Sequence, residues 1–381
     1  MVDDMGMIRA GGLVIMLVLL TSGTSHAESK QMEWIKIGKD GRSFVLATSG
    51  DLHPHPVPLP QGEREFVPRG FNYDRDADGR LLEDYWETEW PKVQEDFAEM
   101  KELGANVVRI HLQFGRFMQN PSKPDEKALD RLERLVTLAE SLNLYLDITG
   151  LGCYRKEHIP DWYDRLSEKE RWRAQAAFWE AIAARCAGHP GILCYDLMNE
   201  PVVPTGQTKE WLGPPFAAVY YYVQYIALDQ QGRERTRIAR DWLKTMRTAI
   251  RKHDKRHLIT VGLLPTSSSG FVPKTIAPEV DFLCVHVYPE SAKIQESLDV
   301  LKEFSVGKPL VIEEIFPMHC SVPELRQFLK DSEKHAAGWM GFYWGKTPEE
   351  YRKSDTLGDA IMLGWLELFQ QETKSAADQA K

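Results

Sequence analysis

The sequence predicts an α/β protein built as a single (β/α)8 TIM barrel, and two observations carry this prediction. Short apolar segments alternate with helical patterns through most of the 381 residues, which is typical of parallel strands joined by helices. No glycine-rich phosphate-binding fingerprint accompanies them, and this favours a barrel over a dinucleotide-binding fold. A chain of this length can also bury one large core.

The amino terminus carries the features of an export signal. Arg9 precedes an apolar run at residues 13–20, and the small-residue motif Ser25-His26-Ala27 follows it. This order of segments is typical of a secretory signal peptide, which we assign to residues 1–27. The apolar run is too short for a membrane helix, which needs about 20 residues. We therefore expect a secreted or periplasmic protein with no membrane span after signal cleavage.

A β-hairpin is predicted between the signal and the barrel. Lys39-Asp40-Gly41-Arg42 separates two alternating segments, residues 34–38 and 43–46, and Asp-Gly is a strong hairpin signal. Such a hairpin could close the amino-terminal end of a barrel. The proline-rich residues 53–58 indicate an extended connector.

Strand and helix patterns place the barrel at residues 66–372, after the hairpin and connector at residues 28–65. Strands are predicted at residues 66–73, 106–112, 144–149, 257–264, 281–287, 309–314 and 338–344, with one more that starts at residue 192. Helices are predicted at residues 91–103, 129–142, 168–186, 233–253 and 360–372. Residues 202–230 are too long for an ordinary loop and too aromatic for disorder, so we predict a long insertion after the fourth strand. The polar tail, residues 373–381, is expected to fray.

The fourth predicted strand ends in Asn199-Glu200-Pro201 and supplies the first candidate catalytic residue. Its apolar residues indicate burial on both faces, and Pro201 cannot continue a central ladder. A second apolar strand, residues 309–314, ends in Glu313 and Glu314. Catalytic residues of a parallel barrel lie at the carboxyl ends of its strands. Two such carboxylates from distant strands form the pair that glycoside hydrolysis requires.

Five motifs in this order resemble glycoside hydrolase family 5, the cellulase-like family of retaining (β/α)8 hydrolases. They contain Arg109, Asn199-Glu200-Pro201, His286-Val287-Tyr288, Glu314 after Lys308-Pro309, and Trp344, and they cover residues 66–345. The resemblance implies that Glu200 is the acid/base and Glu314 the nucleophile. The residues by themselves indicate the pair and leave the two roles open. Because neighbouring strand residues face opposite ways, we expect Glu313 to face the surrounding helices.

The other motif residues suggest contacts around this pair. Arg109 lies in an apolar strand and needs a partner, for which the Glu314 carboxylate is suited. Asn199 could hydrogen-bond a sugar 2-hydroxyl. His286 and Tyr288 share one strand face, so Tyr288 could donate to Glu314 while His286 contacts the acid/base or the substrate.

Two tryptophans are predicted to contact the sugar, and a histidine present in many members of the family is replaced. Trp344 would form the floor under the sugar at the cleavage point, since apolar sugar faces stack on aromatic rings. Trp211 of the long insertion is predicted to line a further subsite. Thr149 stands where many members of the family have a histidine, and His111, on the same strand face as Arg109, could compensate.

We expect a secreted retaining β-glycoside hydrolase that acts on β-linked glycans of the β-mannan or β-glucan type. No cofactor and no metal are expected. The expected partner is an oligo- or polysaccharide, and a net charge of -9 gives no electrostatic reason to expect nucleic acid. Two alternatives are a non-catalytic carbohydrate-binding barrel and a transglycosylase that uses the same site.

The cysteine content leaves the disulfide pattern open. Five cysteines are an odd number, so at least one thiol has no partner within the chain. Cys194 and Cys284 lie in predicted strands and indicate small core residues. One disulfide among Cys153, Cys186 and Cys320 is compatible with the sequence.

Overall fold

The computed structural model describes residues 32–47, 64–342 and 344–379, with side chains described up to residue 375. The signal peptide predicted at residues 1–27 and the connector predicted at residues 53–58 lie outside the described residues.

The elements follow the predicted alternation of strands and helices. The strands are β1 (Trp34–Ile37), β2 (Phe44–Ala47), β3 (Arg64–Phe66), β4 (Arg69–Tyr73), β5 (Val107–Gln113), β6 (Met118–Asn120), β7 (Lys123–Pro124), β8 (Tyr145–Gly152), β9 (Ile192–Asn199), β10 (Pro201–Val202), β11 (Gln224–Tyr225), β12 (Leu258–Gly262), β13 (Leu283–His286), β14 (Leu310–Ile315) and β15 (Gly338–Gly341). The helices are α1 (Leu82–Tyr85), α2 (Trp90–Glu102), α3 (Phe114–Phe117), α4 (Glu126–Ser141), α5 (Asp161–Asp164), α6 (Glu168–Cys186), α7 (Arg235–His253), α8 (Pro273–Ile276), α9 (Ile294–Phe304), α10 (Val322–Ser332), α11 (Pro348–Tyr351) and α12 (Leu357–Gln379).

Eight of these strands form one parallel sheet in the order β12-β9-β8-β5-β4-β15-β14-β13, which nearly closes into a barrel. Main-chain hydrogen bonds join the two end strands: the Asp281 N–H donates to the Ile259 carbonyl at 2.7 Å, and the His286 N–H donates to the Leu263 carbonyl at 2.9 Å. Every residue of β5, β8 and β9 is buried, because helices cover the outer face and side chains fill the interior. The predicted barrel is confirmed.

The three-stranded antiparallel sheet of β1, β2 and β3 packs against the amino-terminal ends of the barrel strands. Phe44 packs edge-on against Phe282 with ring centroids 5.1 Å apart, and Phe66 packs in the same way against Tyr145 at 5.0 Å. In the turn, Gly41 has a φ of 69°, a conformation that favours glycine. The hairpin predicted from Asp-Gly is therefore present.

Helix α6 shows how the sequence starts and seats a covering helix. The Ser167 N–H donates to Glu170 Oε2 at 3.1 Å, so an otherwise unpaired amide at the helix start finds a partner. The buried Trp179 of the same helix donates from its indole N–H to the Leu197 carbonyl of β9 at 3.2 Å.

In the part of the chain that the structure describes, none of the helices combines the length and the apolar character that a membrane span requires.

Two predicted boundaries were wrong. The first predicted strand, residues 66–73, is divided between β3, which ends at Phe66, and the barrel strand β4. The closing helix continues to Gln379 instead of fraying from residue 373. Thr373 explains this continuation, because it is only 9% exposed and its hydroxyl donates to the Leu103 carbonyl at 3.1 Å.

All five cysteines are free thiols. Cys194 and Cys284 are buried in the apolar cluster at the amino-terminal end of the barrel, as expected for small core residues. Cys153, Cys186 and Cys320 form no disulfide with one another.

Candidate active site

Glu200 and Glu314 meet at the carboxyl ends of the barrel strands. Both residues line a cavity of about 390 Å³. One carboxylate oxygen of Glu200 lies within 4.8 Å of one oxygen of Glu314. Their side chains are 14% and 7% exposed, so each carboxylate is shielded from bulk water yet open to the cavity. The structure thus brings together two carboxylates that are 114 positions apart in sequence (314 − 200).

The main chain holds Glu200 in an uncommon conformation. Its φ of 48° lies in the left-handed region, which residues other than glycine rarely adopt. The Glu200 N–H donates to the Gly262 carbonyl at 2.9 Å, and its carbonyl accepts from the Gln224 N–H at 3.3 Å. Such strain persists only where neighbours over-determine it, and it is concentrated at functional sites.

Arg109 links four polar groups from three barrel strands, β4, β9 and β14. Its Nη1 donates to Glu314 Oε1 at 2.7 Å and to Asn72 Oδ1 at 2.8 Å. Its Nη2 donates to Asp196 Oδ2 at 2.7 Å and to Asn199 Oδ1 at 3.0 Å. The guanidinium is fully buried and permanently charged, so it places a fixed positive charge beside Glu314. The expected Arg109–Glu314 pair is present, whereas Asn199 is turned toward Arg109.

Tyr288 holds the second oxygen of Glu314. Its hydroxyl donates to Glu314 Oε2 at 2.6 Å. Burial, followed by the negative charge of Glu314, raises the pKa of Tyr288 well above its ordinary value. The phenol therefore keeps its proton at neutral pH and remains a hydrogen-bond donor to Glu314. Glu314 thus receives one donor on each of its two oxygens.

His286 lies between the carboxylates of Glu200 and Glu314. Its Nδ1 lies 2.9 Å from Glu200 Oε1 and 3.5 Å from Glu314 Oε2. Its Nε2 lies 3.4 Å from Glu313 Oε2. Burial would lower the pKa of His286, but Glu314, Glu200 and Glu313 outweigh that effect and raise it to about 10. Of the two partners expected for His286, the structure shows contact with Glu200.

Glu313 does not face the surrounding helices, so that expectation was wrong. Its side chain is fully buried, with Oε2 3.4 Å from both Arg109 Nη2 and His286 Nε2. The register of β14 shifts against both neighbouring strands in this region, between Val285 and His286 on one side. A β-bulge interrupts the alternation of strand side chains, so Glu313 and Glu314 both turn inward.

The structure places both predicted tryptophans away from the cavity lining. Trp344 is 1% exposed, and its indole N–H donates to Asp96 Oδ1 at 3.1 Å. Phe342, two residues earlier, lines the cavity. Trp211 is 5% exposed and lies under the Arg171 guanidinium at 4.4 Å from the ring centroid. Trp211 therefore packs the insertion onto the barrel.

His111 and Thr149 lie below the cavity and stabilise its polar network. His111 Nδ1 is 2.6 Å from the Tyr154 hydroxyl, and its Nε2 is 3.0 Å from Asn72 Oδ1. Burial, followed by the charge of Arg109, lowers the pKa of His111 well below its ordinary value, so the ring is neutral. Thr149 donates to Asp196 Oδ2 at 2.7 Å. His111 therefore does not take the place of a cavity-facing histidine.

Two residues of this network, Asn72 and Asp196, were missed at the sequence level. Asn72 accepts from Arg109 and donates from Nδ2 to the Glu313 carbonyl at 2.9 Å. Asp196 accepts from Arg109, from Thr149 and from the Gly262 N–H at 2.7 Å. The signal that drew attention to Arg109, an ionisable residue inside an apolar strand, also applies to Asp196.

The long insertion crosses part of the barrel mouth, and we call its residues 211–225 the strap. The Tyr220 hydroxyl donates to the Gly79 carbonyl in the loop after β4 at 2.7 Å. The Tyr221 N–H donates to the Tyr154 carbonyl after β8 at 2.9 Å. The strap therefore runs from the end of β9 past β8 to the loop that follows β4.

Tyr222 is the strap residue that connects the cavity wall to the barrel. It lines the cavity, and its hydroxyl donates to Asp74 Oδ2 at 3.0 Å while accepting from Arg75 Nη1 at 2.6 Å. Its ring packs edge-on against Phe342 with centroids 6.2 Å apart. On the outer rim, Phe216 of the strap is 49% exposed and also lines the cavity.

Among the described residues, two clusters have the spacing of a cation site: Glu200 with His286 and Glu314, and Asp147 with Asp196 and Glu313. Arg109 and His286 already place nitrogen donors against oxygens of both clusters. A guanidinium at 2.7 Å competes with a metal for the same oxygens, so these donor sets fit protonated nitrogens better than a metal ion.

A parallel barrel with two carboxylates at the carboxyl ends of its strands is typical of a glycoside hydrolase, and comparison with known families agrees. The model of the family described as Cellulase (glycosyl hydrolase family 5) matches residues 65–346, more than half of the chain. The protein therefore belongs to glycosyl hydrolase family 5. Among curated proteins, no sequence matches this chain.

Solved structures with the same fold include several glycosidases. Exo-β-1,4-mannosidase Op5Man5 from Opitutaceae bacterium strain TAV5 superposes with a TM-score of 0.62 at 18% identity, over 83% of this chain and 60% of that chain. A variant of a GH5_18 protein from Streptomyces cattleya in complex with Manβ1-4GlcNAc gives a TM-score of 0.60 at 16% identity, over 81% and 80%. GH5_18 from Bifidobacterium longum subsp. infantis gives 0.59 at 14% identity, over 81% and 79%. At these identities the likeness establishes the fold alone.

Proposed function

We propose that the protein is a retaining β-glycoside hydrolase in which Glu314 is the nucleophile and Glu200 the acid/base. The carrying observation is the approach of one Glu200 oxygen to within 4.8 Å of one Glu314 oxygen. Retaining enzymes hold their carboxyl groups about 5–5.5 Å apart, whereas inverting enzymes need about 6.5–9.5 Å to admit a water.

The different surroundings of the two carboxylates support these roles. Glu314 receives hydrogen bonds from Arg109 and Tyr288, which stabilise its ionised form and fix its direction of attack. Glu200 contacts His286 alone among the ionisable side chains of the described residues, and it is the more exposed of the pair. A group that must gain and lose a proton in each cycle benefits from such a titratable neighbour.

The proposed reaction has two steps. In the first, a Glu314 oxygen attacks the anomeric carbon, the bond from that carbon to the leaving oxygen breaks, and Glu200 gives its proton to that oxygen. In the second, Glu200 takes a proton from water, whose oxygen attacks the anomeric carbon and releases Glu314. Transfer to a sugar hydroxyl instead of water would use the same second step.

For the substrate we propose the non-reducing ends of short β-mannosides. The names of the structural relatives, a β-1,4-mannosidase and a protein bound to Manβ1-4GlcNAc, support the choice of sugar. The strap supports action at a chain end, because Tyr222 stands between the cavity and the loop after β4. A glycan that continued in that direction would meet the strap. β-Glucosides are the alternative sugar.

A panel of substrates tests this proposal. We expect hydrolysis of aryl β-mannosides, and we expect mannose and mannotetraose as the first products from mannopentaose. If aryl β-glucosides were hydrolysed faster than aryl β-mannosides, the preferred sugar would be glucose instead of mannose. Internal cleavage of mannopentaose would refute action at chain ends while leaving the catalytic pair intact.

The Glu200→Ala variant tests the two roles. It should cleave natural β-glycosides very slowly yet form the glycosyl-enzyme from a dinitrophenyl glycoside, whose leaving group needs no proton. Azide should then release a β-glycosyl azide. An α-glycosyl azide product would mean that Glu200 is the nucleophile and Glu314 the acid/base. A folded variant that showed neither a burst of dinitrophenol nor rescue by azide would refute the retaining mechanism.

We also propose that the protein is exported, on the strength of the signal features in residues 1–27. Mass spectrometry of the protein recovered from the periplasm or medium of a bacterial host should find an amino terminus at Glu28. Recovery of the uncleaved chain in the cytosol would refute export.

A further inference from the structure

A cluster of buried acidic side chains lies beneath the catalytic carboxylates and takes no part in the double displacement. Asp147 of β8, Asp196 of β9 and Glu313 of β14 are fully buried, and one carboxylate oxygen of each lies within 4.8 Å of the others. The Arg109 guanidinium contacts Asp196 and Glu313 and also pairs with Glu314. If all three lower carboxylates were ionised, the buried interior would hold negative charge that this one guanidinium cannot balance.

Unpaired carboxylate oxygens in this cluster indicate that one of its carboxyl groups is protonated, and the surrounding charges favour Asp147. Neither oxygen of Asp147, nor Oε1 of Glu313, receives a hydrogen bond from a described residue. Two ionised carboxylates cannot bond each other, because neither can donate, whereas one proton between them supplies the donor. Burial, followed by the charges of Glu313 and Asp196, raises the pKa of Asp147 well above its ordinary value. Burial opposes ionisation of Glu313 too, but Arg109 and His286 lower its pKa to about 2.

The other oxygen of Glu313 lies where three polar groups converge. Glu313 Oε2 is 3.4 Å from His286 Nε2 and 3.4 Å from Arg109 Nη2. The space for this convergence is provided by Gly262 of β12. A Cβ at position 262 would stand 2.8 Å from Glu313 Oε2, 2.8 Å from Arg109 Nη2 and 3.0 Å from His286 Nε2. A side chain there would displace these groups.

We propose that neutral Asp147 donates a hydrogen bond to Glu313, and that Glu313 thereby positions His286 against Glu200. This inference rests on the proposed function, in which Glu200 is the acid/base. Glu313 is a positioning residue, because it acts through His286. Its negative charge favours a proton on Nε2 and directs Nδ1 toward Glu200. The same charge raises the pKa of His286, the side chain that contacts the acid/base Glu200.

Other titratable and charged groups face the same residues and remain in place when Glu313 is replaced by Gln. The charged or titratable groups around His286 are Glu200, Glu314 of β14, and Arg109 and His111 of β5. Asp147 interacts electrostatically with four ionisable groups in addition to Glu313: Asp196 and Cys194 of β9, Arg109 of β5 and Cys284 of β13. Because the Glu313 charge raises the pKa of both Asp147 and Asp196, a change that follows Glu313→Gln includes the response of these two carboxyl groups.

The first test is the pH dependence of Glu313→Gln. The basic limb of kcat/KM on an aryl β-glycoside reports loss of the proton from the His286–Glu200 pair. Without the Glu313 charge this limb should move to lower pH by about one unit. The NMR-detected titration of the His286 imidazole should move in the same direction, and this measurement needs no turnover. Glu296→Gln, the same charge change on the exposed face of α9, should move neither.

The second test asks whether Asp147 is neutral. Asp147→Asn keeps a neutral donor toward Glu313, so the basic limb and the His286 titration should stay within about 0.3 units of wild type. The infrared difference spectrum between the wild type and this variant at neutral pH should contain the C=O band of one protonated carboxyl group, lost from the variant. An unchanged infrared spectrum, or a basic limb displaced as far as in Glu313→Gln, would overturn the assignment of the proton.

These outcomes are separate from those that test the proposed function. If Glu314→Ala kept full activity, the retaining mechanism would fail while the His286 titration could still respond to Glu313. If Glu313→Gln left both the titration and the basic limb of an active enzyme unchanged, the positioning role would fail and the retaining mechanism would stand.

Discussion

The polar network around Arg109 and the strap over the cavity are built in different ways. Arg109, Asp196 and Glu314 lie in barrel strands, and each is held by hydrogen bonds between buried side chains. The strap has little regular structure and is held by single hydroxyl and main-chain contacts, such as Tyr222 with Asp74. The strands thus fix the groups that would break the bond in the proposed mechanism, and the strap shapes the cavity beside them.

The largest effect is expected from a substitution that removes the proposed nucleophile from the strand network. Glu314→Ala should lower kcat by about 10⁴-fold or more on every substrate, because no glycosyl-enzyme can form. Steady-state hydrolysis of an aryl glycoside measures this loss. The neighbouring Glu313→Gln is the matched control and should retain most of the activity at its own pH optimum. Equal losses in both variants would remove the distinction between nucleophile and positioning residue.

Next in size is the loss of the cation that holds the network together. Arg109→Met leaves Asp196, Glu313 and Glu314 without their shared donor, so the free energy of unfolding should fall by about 3–5 kcal/mol. Urea denaturation measures the change. Arg173→Met removes a side chain that is 68% exposed and should cost less than about 1 kcal/mol. Similar values for the two variants would show that the buried network contributes no special stability.

A smaller effect is expected in the strap. Tyr222→Phe removes the hydroxyl that joins Asp74 and Arg75, so KM for oligosaccharides should rise about 5–30-fold at nearly constant kcat. Trp211→Phe is the control, because Trp211 packs against Arg171 away from the cavity and should change stability more than KM. If kcat fell in Tyr222→Phe while KM stayed constant, the strap would belong to the catalytic network.

A pH dependence of stability that originates in His286 is also expected. Its pKa in the folded protein is raised to about 10, above the ordinary value of 6.5. The resulting stabilisation is fully present below about pH 6.5 and is lost as the pH rises through about 10. His286→Gln should therefore show a smaller fall in unfolding free energy between pH 7 and pH 9.5 than the wild type. An identical fall would show that His286 is not charged in the folded protein.

Much of the strand-based region could be predicted because its positions follow from local rules. Pro201 stops a strand directly after Glu200, and Arg109 lies in an apolar strand that demands a buried partner. Barrel topology then places strand ends side by side, which gave the Glu200–Glu314 pair and the contact between Arg109 and Glu314. These inferences need only strand periodicity and the parallel order of the strands.

The sequence by itself determined the barrel, the hairpin beneath it, the family resemblance and the residues of the carboxylate pair. Only the tertiary structure decided the inward turn of Glu313, because a β-bulge in β14 breaks the alternation on which the sequence argument relied. It also decided that Phe342 and Tyr222 line the cavity while Trp344 and Trp211 are buried elsewhere. The path of the strap depends on contacts with Gly79 and Tyr154, residues far away in the chain. Periodicity carries information about neighbours within an element, and such long-range contacts exist only once the whole chain has folded.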